Sequence, residues 1–157
     1  MSYISFQPSD YFNTKLYTGT GSAQSITGVG FQPDWVWTKE RNGVCDHHLF
    51  DAIRGATYKI NSGSTEASSA DAQTLTSFDS DGFSVGTNGC QYTSSDTYVS
   101  WNWLANGQGS SNTDGTINTT YTSANTTAGF SIIQYSGNGS AGATIGHGLG
   151  VAPKCVI

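Results

Sequence analysis

Turn-forming clusters recur along this chain at intervals too short for helices. Asn42-Gly43, Ser62-Gly63-Ser64, Ser80-Asp81-Gly82, Asn88-Gly89, Asn106-Gly107 and Asp114-Gly115 readily supply the positive φ angles that tight turns need. Between them lie short runs rich in aromatic and β-branched residues: 34–39 (DWVWTK), 57–60, 74–78, 82–85, 97–104 (TYVSWNWL), 116–121, 129–135 (GFSIIQY) and 154–157. Strands so spaced, with no helical period between them, predict an all-β fold. The expected architecture is an antiparallel two-sheet sandwich or jelly roll. Residues 64–72 (STEASSADA) resist the pattern and are expected as a loop or one helical turn. Trp35, Trp37, Val99, Trp101, Trp103, Phe78, Phe83, Phe130 and Ile132 are the expected core or its immediate flank.

Composition narrows the class further. Ser (21), Thr (20), Gly (20) and Asn (10) make up almost half of the 157 residues. All four are weak helix formers, which excludes a helical bundle or coiled coil. Aromatic residues, at 12%, supply buriable area and argue against disorder. Only 11% of residues are charged, against about 25% in an average domain, so hydroxyls and amides must solvate the surface. The net charge is −5, and Lys15, Lys39, Arg41, Arg54, Lys59 and Lys154 form no run, so nucleic acid is not an expected partner. No stretch approaches the roughly 18 apolar residues of a membrane helix, so no membrane insertion is expected. The N-terminus lacks a basic region followed by an apolar core. The chain is therefore expected to stay where it is synthesised or to leave by another route, such as packaging into a particle.

An internal repeat divides the chain. Residues 12–37 (FNTKLYTGTGSAQSITGVGFQPDWVW) resemble residues 130–157 (FSIIQYSGNGSAGATIGHGLGVAPKCVI) once two single-residue insertions are allowed. Phe12, Tyr17, Gly19 and Gly21 match Phe130, Tyr135, Gly137 and Gly139. Ile26, Gly28, Gly30, Pro33 and Val36 match Ile145, Gly148, Gly150, Pro153 and Val156. The period, about 118 residues, is far longer than the roughly 20–50 of a solenoid. The organisation expected is a first β-sandwich unit with an N-terminal arm at 1–128, and the start of a second, truncated unit at 129–157. The second copy breaks off inside a strand pattern, so a longer repeat-containing protein is expected. The Phe130 strand should pair as its equivalent at Phe12 does.

Candidate chemistry is sparse. Adjacent His47 and His48 would point to opposite faces of a strand and could not share a metal. They are read as loop and surface histidines, with Thr27 standing where the second copy has His147. Glu40 and Glu66 are the only glutamates. No strand carries the paired acids of a glycosidase, and no nucleophile elbow or dinucleotide fingerprint appears. No enzyme activity and no cofactor is expected. Asp79-Ser80-Asp81-Gly82 resembles the opening of a calcium loop, but a twelfth-position Glu is replaced by Cys90. A hairpin turn is the expectation there, and no metal. Cys45, Cys90 and Cys155 lack zinc spacing. They are expected to be small buried thiols, a Cys45–Cys90 bridge being the alternative. The pairs Trp35/Trp37 and Trp101/Trp103 each project from one face of a strand. They read either as a sugar-stacking platform or as core, and core is the expectation for at least three of the four.

Residues 30–39 (GFQPDWVWTK), His47-His48-Leu49-Phe50-Asp51, Arg54-Gly55-Ala56, 77–86 (SFDSDGFSVG), 98–103 (YVSWNW) and 129–133 (GFSII) together resemble a family of repeat domains in virion proteins of tailed bacteriophages, particularly marine ones. The resemblance spans nearly the whole chain, and its combination of motifs is specific. It implies a concanavalin A-like, laminin-G-like sandwich in a virion structural protein: a tail fibre, spike or capsid decoration made in the host cytoplasm. It transfers no catalytic residues. The partners expected are other virion subunits, further copies in a homo-oligomer, and host surface glycans. Tyr92, in the loop 89–96, and Asn42, Asp46 and His47, in the loop 42–48, are the expected glycan or subunit contacts, because binding residues concentrate on loops held by a rigid scaffold. The alternative is a non-catalytic carbohydrate-binding module of a secreted or surface protein.

Overall fold

The computed structural model describes residues 7–157, and the earliest part of the expected N-terminal arm lies outside the described residues. A 3-10 turn at Pro8–Asp10 leads into β1 (Phe12–Thr18), β2 (Gln24–Thr27), β3 (Trp35–Glu40), β4 (His48–Asp51), β5 (Tyr58–Asn61), β6 (Ser69–Ala70), β7 (Leu75–Asp79) and β8 (Gly82–Val85). A single helical turn, α1 (Gly89–Tyr92), precedes β9 (Thr97–Trp103), β10 (Tyr121–Asn125) and β11 (Phe130–Gln134). Six strands form one sheet in the order β1-β9-β3-β4-β5-β6, and three form another in the order β2-β8-β7. The ladders within both sheets are antiparallel. This is the all-β sandwich that the turn spacing predicts.

Period-two alternation decides which side chains meet between the sheets. In β3, Val36, Thr38 and Glu40 are buried, whereas Trp35, Trp37 and Lys39 are half-buried on the opposite face. Val36 and Phe50 of the large sheet pack against Ile26, Leu75, Phe83 and Val85 of the small one, and Tyr17, Ala56 and Phe78 close the edges. Each such apolar side chain contributes about 1.5–3 kcal/mol when fully buried. Asp81 fixes the register at the open end of this core. Its carboxylate accepts the Gly28 and Gly30 amides at 2.9 and 2.7 Å, and these hydrogen bonds hold its pKa below the ordinary carboxylate value. Both glycines have positive φ, at 79° and 93°, which lets their amides converge on one side chain. The 79–82 segment is thus a β7–β8 hairpin turn, as expected, but Asp81 bonds a distant loop rather than its own backbone.

Two expected strands do not form. Around residues 116–121 the hydroxyls displace the ladder. Thr116 and Thr144 exchange side chain-to-amide bonds at 3.1 and 2.9 Å, and Thr119 Oγ accepts the Asn112 amide at 2.8 Å. Such local bonding competes with strand pairing, and Ile117 keeps only an isolated bridge to Ile145. Residues 154–157 have no partner strand among the described residues, and Val156 and Ile157 are exposed. The 64–72 segment is irregular apart from β6, which pairs with β5, and has no helical turn.

The Phe130 strand also departs from expectation. β1 runs along β9, whereas β11 pairs with β10. Only residues 126–129 separate β10 from β11, so closing that hairpin is entropically cheap. Gly129, with φ of 68°, lies in its turn, so the hairpin straddles the start of the second of the two resembling segments. The segment before β10 is fastened to the sandwich by buried Asp34, whose carboxylate accepts the Ala105 and Gly107 amides at 2.8 and 3.1 Å. Burial raises the Asp34 pKa despite these two donors.

Candidate functional site

The outer face of the six-stranded sheet carries rows of aromatic and apolar side chains. Trp35 lies opposite Trp103, and Trp37 opposite Trp101. β1 extends the rows with Phe12, Thr14 and Leu16 beside Trp103, Trp101 and Val99. Leu49 continues them beside Trp37, and Ile60 beside Leu49. Trp35 and Trp103 are stacked with centroids 4.9 Å apart, while Trp37 meets Trp101 edge-on at 5.9 Å and 66°. Phe130 lies over one end of this face, 5.4 Å from Trp35 at 9° and 5.9 Å from Trp103 at 20°. The other end is open. Leu16 is 61% exposed, and a slot of about 170 Å³ opens between Trp37, Trp101 and Trp103.

The four tryptophans therefore do not fill the core. Between and beside them on the inner face stand Val36 and Thr38 on β3 and Ser100 and Asn102 on β9, while Glu40 and Tyr98 continue that face at the strand ends. Smaller residues there leave room for Phe50 and Phe83. Of the other expected core residues, Phe83 is central, Phe78 packs against the core, Val99 is buried on the outer face, and Ile132 is half-buried in β11.

The two loops expected to make contacts meet at one end of the sandwich. Cys45 and Cys90 form a disulfide across them, with Cα atoms 5.6 Å apart. This corrects the expectation of free buried thiols: the turn after β3 and the helix α1 converge on the same edge, which the sequence separation conceals. Cys155 is a free, exposed thiol. Asn42 is spent internally, since its Oδ1 accepts the Thr97 amide at 2.8 Å and its Nδ2 donates to Asp96 at 3.1 Å. Tyr92 is half-buried at the end of α1, and its carbonyl accepts the Gly21 amide at 2.8 Å. Gly19 passes so close that a Cβ there would lie 2.6 Å from the Tyr92 carbonyl. Asp46 is exposed on the same rim. Only His47 reaches the aromatic face: Trp37 Nε1 donates to its Nδ1 at 2.9 Å. The neutral imidazole must then carry its proton on Nε2.

His48 is not a surface residue. It occupies β4, is 4% exposed, and shares a buried network with Gln91 of α1. Gln91 Nε2 donates to Thr38 Oγ and to His48 Nδ1, both at 3.0 Å, while Tyr17 OH donates to Gln91 Oε1 at 3.2 Å. Burial lowers the His48 pKa to about 4, with the Lys59 charge acting in the same direction. Nothing in the sequence singles out Gln91, a lone amide beside a cysteine. His147 accepts the Leu149 amide at 3.1 Å, within its own turn. Among the described residues no three His, Cys, Asp or Glu side chains are grouped to hold a metal, and no helix is long and apolar enough to cross a membrane.

What this arrangement can do chemically is bind. It presents flat apolar walls on a rigid sheet, with polar groups at the rim. Asp51, which stands opposite Trp35, pairs with Arg54. No curated protein and no solved structure matches the chain. Over residues 7–157 the chain matches the family described as a domain of unknown function, DUF7483, and it belongs to that family.

Proposed function

We propose that this chain is a non-catalytic structural component of a bacteriophage particle, of the tail-fibre, spike or head-decoration kind, which assembles with other subunits and holds a binding surface rigid. The observation that carries the reading is the open half of the aromatic face. Exposed apolar surface of this kind, rimmed by polar groups, marks interaction sites in soluble proteins. The low charge and the hydroxyl-rich composition suit a particle component assembled in many copies, and the resemblance to tailed-phage repeat domains supplies the setting. Mass spectrometry of purified particles of the phage encoding the chain tests it. Many copies per particle are expected. A chain abundant in the lysate and missing from washed particles would reject the particle role. The slot between Trp37, Trp101 and Trp103 favours a second reading, a free carbohydrate-binding module, which that same result would leave standing.

A further inference from the structure

The geometry points to a binding subsite for one ring of a neutral saccharide in the slot formed by Trp37, Trp101 and Trp103. The inference rests on the aromatic face being a binding surface and not on the particle setting. Pockets for drug-sized ligands measure about 300–1,000 Å³, so a slot of about 170 Å³ holds a single ring of a longer ligand. Its walls are indoles alone, with Trp37 and Trp101 at 66° to one another. A pyranose has the matching shape, with a C–H face that packs on an aromatic plane and hydroxyls projecting from its edge.

The rim favours hydroxyls over an apolar partner. Trp101 Nε1, Trp103 Nε1 and the Thr14 hydroxyl, which stands opposite Trp101, have no protein partner among the described residues. Trp37 Nε1 is already satisfied by His47, which leaves the His47 Nε2–H as a further donor near the slot. Covering these groups with an apolar surface would leave them unpaired, at about 1–3 kcal/mol each, whereas saccharide hydroxyls both donate and accept. The ligand should also be uncharged. Lys39 Nζ is turned back onto the Glu40 and Gly43 carbonyls at 2.6 and 3.2 Å, Asp51 is held by Arg54, and the three residues that wall the slot carry no charge.

The test titrates the chain with a panel of neutral oligosaccharides (glucans, mannans, galactans) and, in parallel, with uronate-containing and sialylated ones, following tryptophan emission and heat. At least one neutral oligosaccharide should bind with a blue shift. Trp101→Ala should weaken that binding about tenfold or more, the loss of one aromatic contact. Trp101→Phe should restore part of it, and Tyr92→Ala should leave it unchanged. An unchanged melting temperature in Trp101→Ala separates loss of the wall from loss of the fold. Three results would overturn the inference: no neutral oligosaccharide binding at millimolar concentration, binding indifferent to Trp101→Ala and Trp37→Ala, or a self-associated chain whose dissociation uncovers these tryptophans. The last would assign the slot to a second copy. Each can occur whether or not the chain is found in particles.

Discussion

His48 is held neutral chiefly by its burial, with the Lys59 charge adding to the effect. Gln91 donates to its Nδ1, so a proton there would set two donors against each other in a buried site. The unfolded chain protonates this histidine near pH 6.5, whereas the folded chain resists until about pH 4. Between those values the unfolded state binds the extra proton, so stability must fall as pH drops through the window, on the order of 3 kcal/mol in all. The Asp46 and Asp71 charges favour the proton but do not offset the burial. Urea midpoints measured from pH 7 to pH 4 should decline accordingly, and His48→Gln should flatten the decline. An identical slope in that variant would remove His48 as its source. Gln91→Ala strands Tyr17, Thr38 and His48 together, and should cost about 2–3 kcal/mol in the same assay.

At the scale of elements, α1 is a single turn that cannot persist unaided. It is held by the Asn88 side-chain cap, by Gln91 in the interior and by the Cys45–Cys90 bond. A cross-link spanning 45 residues limits the unfolded chain by about 4 kcal/mol on loop entropy alone. The Cys45→Ser/Cys90→Ser pair should therefore lose about 2–4 kcal/mol in chemical denaturation, and amide exchange at residues 89–92 should accelerate before that of β9. Equal exchange in both forms would show that the cap and Gln91 suffice. The strands themselves were largely legible: β3, β7, β8, β9 and β11 fall where alternation and turn residues place them. β4 was not, because a four-residue strand with His48 and Asp51 at its ends has no visible period. Nor was the disulfide, since only the fold brings the two loops together. The site was half legible. Trp-x-Trp spacing fixes that both rings share a face, but which face is inner depends on Val36, Thr38, Ser100 and Asn102 being small enough for the second sheet to approach.

For the molecule as a whole, the aromatic face joins the sandwich to its last hairpin. Phe130→Ala should shift tryptophan emission to the red and lower stability by about 1–3 kcal/mol, less than a fully buried phenylalanine would cost; an unmoved spectrum would mean that β11 does not dock there in solution. Phe12 and Phe130 are repeat equivalents, yet both rings lie against Trp103, one from β1 and one from β11. The written period of the chain and the period of its packing are therefore out of phase. A cut at residue 128 follows the spelling of the repeat but removes the ring that stacks on Trp35 and Trp103. A cut after Gln134 follows the packing, so the fragment ending there should melt higher and bind less of a hydrophobic dye than the one ending at 128. In any tandem array built on this plan, each unit would be finished by the first strand of the next, and successive units would be mechanically interlocked rather than strung like beads.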